Sequence, residues 1–237
     1  MHQGTHALKD KKRKRRRKRG PLRINVEYAF AKTCTAIVRL LPLWAAYAFA
    51  GVIWRVIYYV DWVHPRRAIQ HLLHVGIAKD RAEACRIAKA CFINLGMTAV
   101  ETVKMDQIMP PETIRDHITY RYDNPKVLET IKNPNGCVVL GAHFGNWELS
   151  GTACSLLHKP LLSVMRPFNN PKIGEYILNR RQCYGQKLVA RDNALRKLMS
   201  TLRSGDPVAL LCDQHASRRE GVVVDFFGHP ARTHSSA

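Results

Sequence analysis

His143 stands where a catalytic base would be expected. It follows the apolar run Val138-Val139-Leu140, lies between Gly141 and Gly145, and precedes Glu148 by five positions. Val138 to Leu140 reads as a buried strand and Gly141 to Gly145 as a tight loop. Asn146 has the chemistry of a helix N-cap, with Trp147 and Glu148 opening the helix. The imidazole thereby falls at the carboxyl end of a strand, the edge on which open α/β sheets hold ligands. If the loop folds back, Glu148 accepts a hydrogen bond from one ring nitrogen, leaving the other free to take a proton from a hydroxyl. Histidine and glutamate at this spacing recur by chance. The flanking glycines, the strand before and the helix after are what single out this pair.

Other polar residues fall at comparable places. Arg166-Pro167-Phe168-Asn169-Asn170-Pro171 follows a strand directly. An arginine there can grip a phosphate or carboxylate with its planar fork, or can belong to an ordinary surface loop. Arg180 and Arg181 come late in the next helix, where they complement the helix dipole. Asp213-Gln214 also ends a strand; it can orient a hydroxyl, pair with an arginine or simply turn the chain. His215 and His229 have no evident partner and read as structural.

These residues need a frame. Leu149 to Leu157 continues the first helix, Leu161 to Met165 reads as a strand, and Ile173 to Cys183 as a helix closed near Gly185. Lys187 to Ala190 is a short strand, and Asn193 to Leu202 a helix with Leu195, Leu198 and Leu202 on one face. Pro207 to Cys212 is a buried strand and Val222 to Phe226 another. This alternation predicts an α/β fold, a mostly parallel sheet flanked by helices. Upstream, Ala68 to Val75 is helical to Gly76, and Asp80 caps a helix whose Ala84, Ile87, Ala88, Cys91, Phe92 and Leu95 form an apolar stripe for packing. Pro110-Pro111 breaks the chain, and polar residues 112 to 135 lead into the motif of His143.

The 237 residues suffice for one good-sized core with an appendage. The net charge of +20 points to an anionic partner. Ten of the positive charges lie between Lys9 and Arg19, against Asp10 alone, so residues 1–22 read as a disordered basic tail. Residues 23–62 follow as an anchor segment. Leu40 to Trp54 is apolar, uncharged and bracketed by Arg39 and Arg55, and extension to Val60 makes it long enough to span with Arg55 snorkelling. Trp44, Tyr47, Trp54, Tyr58 and Tyr59 suit a membrane interface. The segment is either a short span or a deeply embedded helix; a buried core helix is the alternative. Residues 63–237 remain for the catalytic domain. Seven cysteines with no C-x-x-C pair indicate small buried thiols in a reducing compartment, not a disulfide or zinc framework.

Together these segments resemble the lipid A biosynthesis (late) acyltransferases of the lysophospholipid acyltransferase superfamily. The resemblance runs from about residue 24 to the end. It rests on the apolar N-terminal helix, Gly141-Ala142-His143-Phe144-Gly145-Asn146-Trp147-Glu148, Arg166-Pro167 with Asn170-Pro171, Arg181, Leu188 to Lys197, Asp213-Gln214, and Phe226-Phe227-Gly228 with Pro230-Ala231. It implies a glycerol-phosphate acyltransferase-like fold and transfer of a fatty acyl chain from acyl carrier protein to a lipid A precursor, at the cytoplasmic face of a bacterial inner membrane. His143 and Glu148 are then the catalytic pair. Phe144, Gly145, Asn146, Arg166, Arg181, Asp213 and Gln214 line the substrate site, with N–H groups near Phe144 to Asn146 stabilising an oxyanion. No metal or cofactor is called for, and no Cys or Ser adjoins His143 as a nucleophile. Another glycolipid or phospholipid acceptor fits the same motifs. A nucleic-acid-binding protein built on the basic tail would leave the apolar helix and His143 without a role. Family members generally continue beyond Phe226-Phe227-Gly228, so the resemblance implies further late helices past Ala237; the long basic tail is outside the usual pattern.

Overall fold

A computed structural model describes residues 20–190, 194–218 and 221–234. The basic run up to Arg19, and Asn193 as a helix start, lie outside the described residues. Four short parallel strands make the central sheet: β1 (Val138–Gly141), β2 (Leu162–Met165), β3 (Lys187–Ala190) and β4 (Val208–Leu211), in the order β1-β4-β2-β3. Helices α8 (Trp147–Leu157), α9 (Pro171–Cys183) and α10 (Ala194–Arg203) make the crossovers. Parallel strands need such crossovers because the chain must return to the same end of the sheet. The last strand to form in sequence, β4, slots between β1 and β2. Its register pairs Gly141 with Leu211.

The core on this sheet is Leu162, Val208 and Leu210 against Ala194 and Leu198 of α10. The leucine stripe of α10 splits: Leu198 is buried, whereas Leu195 is exposed. β1 departs from the buried strand its composition suggests, with Leu140 61% exposed. It is an edge strand paired on one side only, among the described residues.

Val222 to Phe226 does not join the sheet. It becomes β5 (Gly221–Phe226), paired antiparallel with β6 (His229–His234) in a separate, mostly exposed hairpin. The turn places both Phe227 and Gly228 at positive φ, 54° and 76°, as a tight two-residue hairpin requires. The Phe-Phe-Gly motif is thus turn chemistry. His229 stacks near His74, ring centroids 4.2 Å apart, and His215 bridges to Thr233.

A helical layer precedes the sheet. Residues 23–62 hold two helices, α1 (Pro21–Leu40) and α2 (Leu43–Val60), separated at Leu41-Pro42. They are followed by α3 (Val63–His74) and α4 (Arg81–Val103). Asp80 caps α4 by accepting from the Glu83 N–H at 2.8 Å, and Glu83 returns a carboxylate to the Lys79 N–H; the reciprocal arrangement satisfies two end donors. Short helices α5 (Met105–Ile108), α6 (Ile114–His117) and α7 (Lys126–Lys132) lead to β1.

Small residues bring α2 onto α4. Ala46 and Ala50 pack with Val100, and Trp54 lies so close over Gly96 that a Cβ there would sit 2.2 Å from its ring. Of the five aromatics expected at an interface, Trp44 and Tyr59 are exposed. Tyr47 and Tyr58 instead donate hydrogen bonds to Glu101 and the Cys85 carbonyl. The seven cysteines are free thiols, five half-buried, with Cys91 and Cys183 exposed; none is fully buried as the sequence suggests.

Candidate active site

The loops after β1, β2 and β4 open on one edge of the sheet, since the strands are parallel. Register then decides which residues meet. Gly141 pairs with Leu211, so the residues two further on, His143 and Asp213, face each other across the strand ends. The Asp213 carboxylate takes both donors of His143: Oδ2 accepts from the backbone N–H and Oδ1 lies 2.7 Å from Nδ1. Burial pushes the Asp213 carboxyl up, but the hydrogen bonds from the His143 side chain and backbone outweigh it and hold it below the usual range. An ionised carboxylate on Nδ1 assigns the proton to that nitrogen and leaves Nε2 as the acceptor. The Gln214 amide lies 3.3 Å from Nε2. The Trp147 ring packs edge-on against the imidazole at 4.9 Å.

This corrects one sequence expectation. Glu148 does not orient His143. It opens α8 on the side facing α9, where Arg181 Nη2 and the Trp147 indole N–H both donate to its Oε1. Nδ1 is already taken by Asp213, which strand order brings closer than any folding back of the loop. Arg181 is therefore more than a complement to a helix dipole. Its Nη1 also approaches the Met165 sulfur, and its Nε is buried without a partner among the described residues. Arg180 bonds Asp106 at 2.9 Å.

The loop itself is shaped for access. Gly145 has φ of 58°, which favours glycine, and Phe144 is 89% exposed. Among the described residues the N–H groups of Phe144, Gly145 and Asn146 have no hydrogen-bond partner. Asn146 caps α8 as expected, its Oδ1 accepting from the N–H of Glu148 and Leu149, both at 3.1 Å. Its Nδ2 donates to Glu101 Oε2 at 2.7 Å. Sequence reasoning missed Glu101. Its one signal was a lone acid in the otherwise uncharged run Met97 to Val103.

His143, Phe144, Glu148, Arg166, Arg181 and Gln214 border a cleft of about 1300 Å³ whose floor includes Val164, Leu198 and Leu210. This exceeds the roughly 300–1,000 Å³ of common small-molecule sites. It has a polar mouth at the strand ends and an apolar interior. Arg166 is exposed at the mouth and has no hydrogen-bond partner among the described residues. His143, Asp213 and Gln214 thus come together, Glu148 and Arg181 form a second pair beside them, and Arg166 stands apart. The arrangement can remove a proton from a hydroxyl, stabilise a negative oxygen and hold anionic groups.

Residues 12–237 match the family described as Bacterial lipid A biosynthesis acyltransferase. A Haemophilus influenzae protein described as a lipid A biosynthesis acyltransferase is 31% identical over 81 residues, covering 34% of this chain and 26% of that protein. The matched stretch is thus about a quarter of the relative's length.

Proposed function

The chain belongs to the bacterial lipid A biosynthesis acyltransferase family, and from that premise we propose that it moves a fatty acyl chain from an acyl carrier protein thioester to a hydroxyl of a lipid A precursor. The observation that carries the reading is the unprotonated Nε2 of His143, fixed by Asp213 on the ring's other nitrogen and set at the mouth of an apolar cleft. Nε2 takes the proton of the acceptor hydroxyl as its oxygen attacks the thioester carbonyl carbon. The resulting oxyanion is held by the N–H groups of Phe144, Gly145 and Asn146. Collapse expels the thiolate, which recovers the proton from the imidazolium. Ester and free carrier thiol result. Arg166 and Arg181 hold phosphates at the mouth, with Glu148 fixing Arg181 and Gln214 steadying the hydroxyl. Mass spectrometry of products from purified protein, acyl carrier thioesters and lipid A precursor tests this. An acylated lipid A precursor is expected; acylation confined to other glycolipids would overturn the acceptor.

The family is membrane-associated, and we place this chain at the cytoplasmic face of the inner membrane. α2 is long and apolar enough to cross a membrane, yet its Ala46-Ala50-Gly51 side packs on α4. The reading is a helix lying in the interface, with Trp44, Val52, Val56 and Tyr59 towards lipid. The basic tail adds attraction to anionic lipid and acidic carrier protein. Removing residues 1–20 should leave the protein on membranes but ease its extraction at high salt. Full release at low salt would overturn the embedded helix.

A further inference from the structure

We propose that Glu101 on α4 is a positioning residue that sets the catalytic loop, and that Tyr47 on α2 ties that setting to the exposed apolar helix. The inference rests on His143 being the base, and it concerns what holds the loop that carries it. Residues 142–146 are held near both ends. His143 is fastened by Asp213 at one end. Asn146 is the other. Its amide works in one orientation only: the oxygen must face the helix N–H groups and the NH₂ must face away. A carboxylate only accepts hydrogen bonds, so Glu101 selects the NH₂ end and leaves the oxygen to cap α8. The Thr98 carbonyl adds a weak contact at 3.5 Å. Trp147 follows Asn146 directly and packs on the His143 ring, so rotation of Asn146 displaces the surface against which the base is held.

The other oxygen of Glu101 accepts from the Tyr47 hydroxyl at 2.9 Å. The half-buried carboxylate therefore joins α2, α4 and the catalytic loop. A charge in that setting is unfavourable unless hydrogen-bonded, and no Lys, Arg or His pairs with it among the described residues. Both of its oxygens are used by neutral donors, one from the catalytic loop. Fastening α2 to α4 alone would require Tyr47 and not Asn146.

The test uses the full 237-residue chain with Glu101→Ala, Glu101→Gln and Tyr47→Phe, with Arg86→Ala on the exposed face of α4 as control. Glu101→Ala should lower kcat about 10- to 100-fold with KM little changed, because the fault is misplacement of the base and not lost substrate contact. Glu101→Gln, which still offers an oxygen to Asn146, should recover most of it, and Tyr47→Phe should cost a few-fold. In an Asn146→Ala background, Glu101→Ala should have almost no further effect, since the two act through one bond. Amide hydrogen exchange at Glu148 and Leu149 should quicken in Glu101→Ala and not in the control. Unchanged exchange at those amides, or substitution effects that simply multiply, would overturn the proposal. If exchange responds but the unaltered chain transfers no acyl group, the acyltransferase reading falls and the positioning role stands. Should Glu101→Ala fail to fold, Tyr47→Phe decides: exchange at Glu148 and Leu149 should quicken there, and exchange equal to that of the intact chain would overturn the proposal.

Discussion

At the start of α8, Asn146 accepts from two helix N–H groups and sends its NH₂ back to α4; at the start of α9, Asn170 accepts from the N–H of Lys172 and Ile173 and sends its NH₂ back to the Ile24 carbonyl and Glu27 of α1. The two strand-to-helix corners share one device, an asparagine that caps the helix and clamps it to the N-terminal layer. They differ in what precedes it. Before Asn146 stand a histidine and a glycine at positive φ; before Asn170 stand Arg166, a proline and no titratable base. They also differ in what they clamp to. α4 has five buried residues, Ala84, Ala88, Gly96, Thr98 and Val100, whereas α1 has none. The scaffold is thus common to both corners. On the proposed function, the proton transfer falls to the five residues before α8 and to what β4 brings beside them, while the second corner contributes only Arg166 to binding.

The comparison breaks most sharply at the base. His143→Ala should lower turnover by about 10²- to 10⁴-fold with little change in melting temperature, as the side chain is in a loop. Asp213→Asn comes next. The amide cannot accept equally from the ring and backbone N–H groups, so the tautomer is no longer fixed; a loss of about 10²-fold in kcat, with KM kept, is expected. Glu148→Gln should instead free Arg181 and raise KM for the anionic acceptor more than it lowers kcat. Steady-state kinetics of the pair decides which carboxylate serves the imidazole. If Glu148→Gln abolishes kcat while Asp213→Asn keeps it, the two roles are exchanged.

The first corner was legible locally and the reason is local: glycine, asparagine and an apolar run each declare a backbone preference. The alternating strands and helices were equally plain, and so was Asp213 as a strand-end residue. The pairing of Asp213 with His143 was not, because it depends on β4 entering between β1 and β2, and strand order leaves no mark in periodicity. Glu148 was assigned to the imidazole for the same reason: closeness in sequence stood in for closeness in space. The exposed face of β1 and the separate hairpin were missed because an apolar run does not reveal whether anything covers it. Tyr47 and Tyr58 looked like interface aromatics, yet their hydroxyls face α4.

The second corner should respond in stability more than in catalysis. Asn170 is 3% exposed, so Asn170→Ala removes a cap and leaves α1 without two of its bonds. A cap is worth about 1 kcal/mol, and kcat should stay within a few-fold. Faster exchange in α1, with α8 unaffected, is the expected signature. A loss of kcat as large as that of Asn146→Ala would mean that α1 bears on the loop directly.

A smaller effect lies at the opposite ends of α1 and α9 and can be reached by pH alone. Asp106 accepts from both terminal guanidinium nitrogens of Arg39 on α1 at 2.6 Å and from one of Arg180 on α9. The Arg39 hydrogen bonds hold its carboxyl down against the opposing push of burial, with Arg180 adding to them, and bring it from 3.8 to about 2. A folded-state value depressed in this way contributes stability above the unfolded value, near pH 4, and loses it as pH falls towards 2. The Asp106 side chain is 34% exposed, so solvent screening reduces the contribution to about 1 kcal/mol. Asp213 titrates in the same direction, so the drop in the intact chain is a sum. Subtracting the urea midpoint shift of Asp106→Asn, measured at about pH 6 and pH 2.5, isolates the Asp106 share. The variant should lose less stability on acidification than the intact chain. Equal losses would mean that the Arg39–Asp106–Arg180 link contributes nothing to holding α1 and α9 together, leaving that to Asn170 and to Lys172 on Asn25.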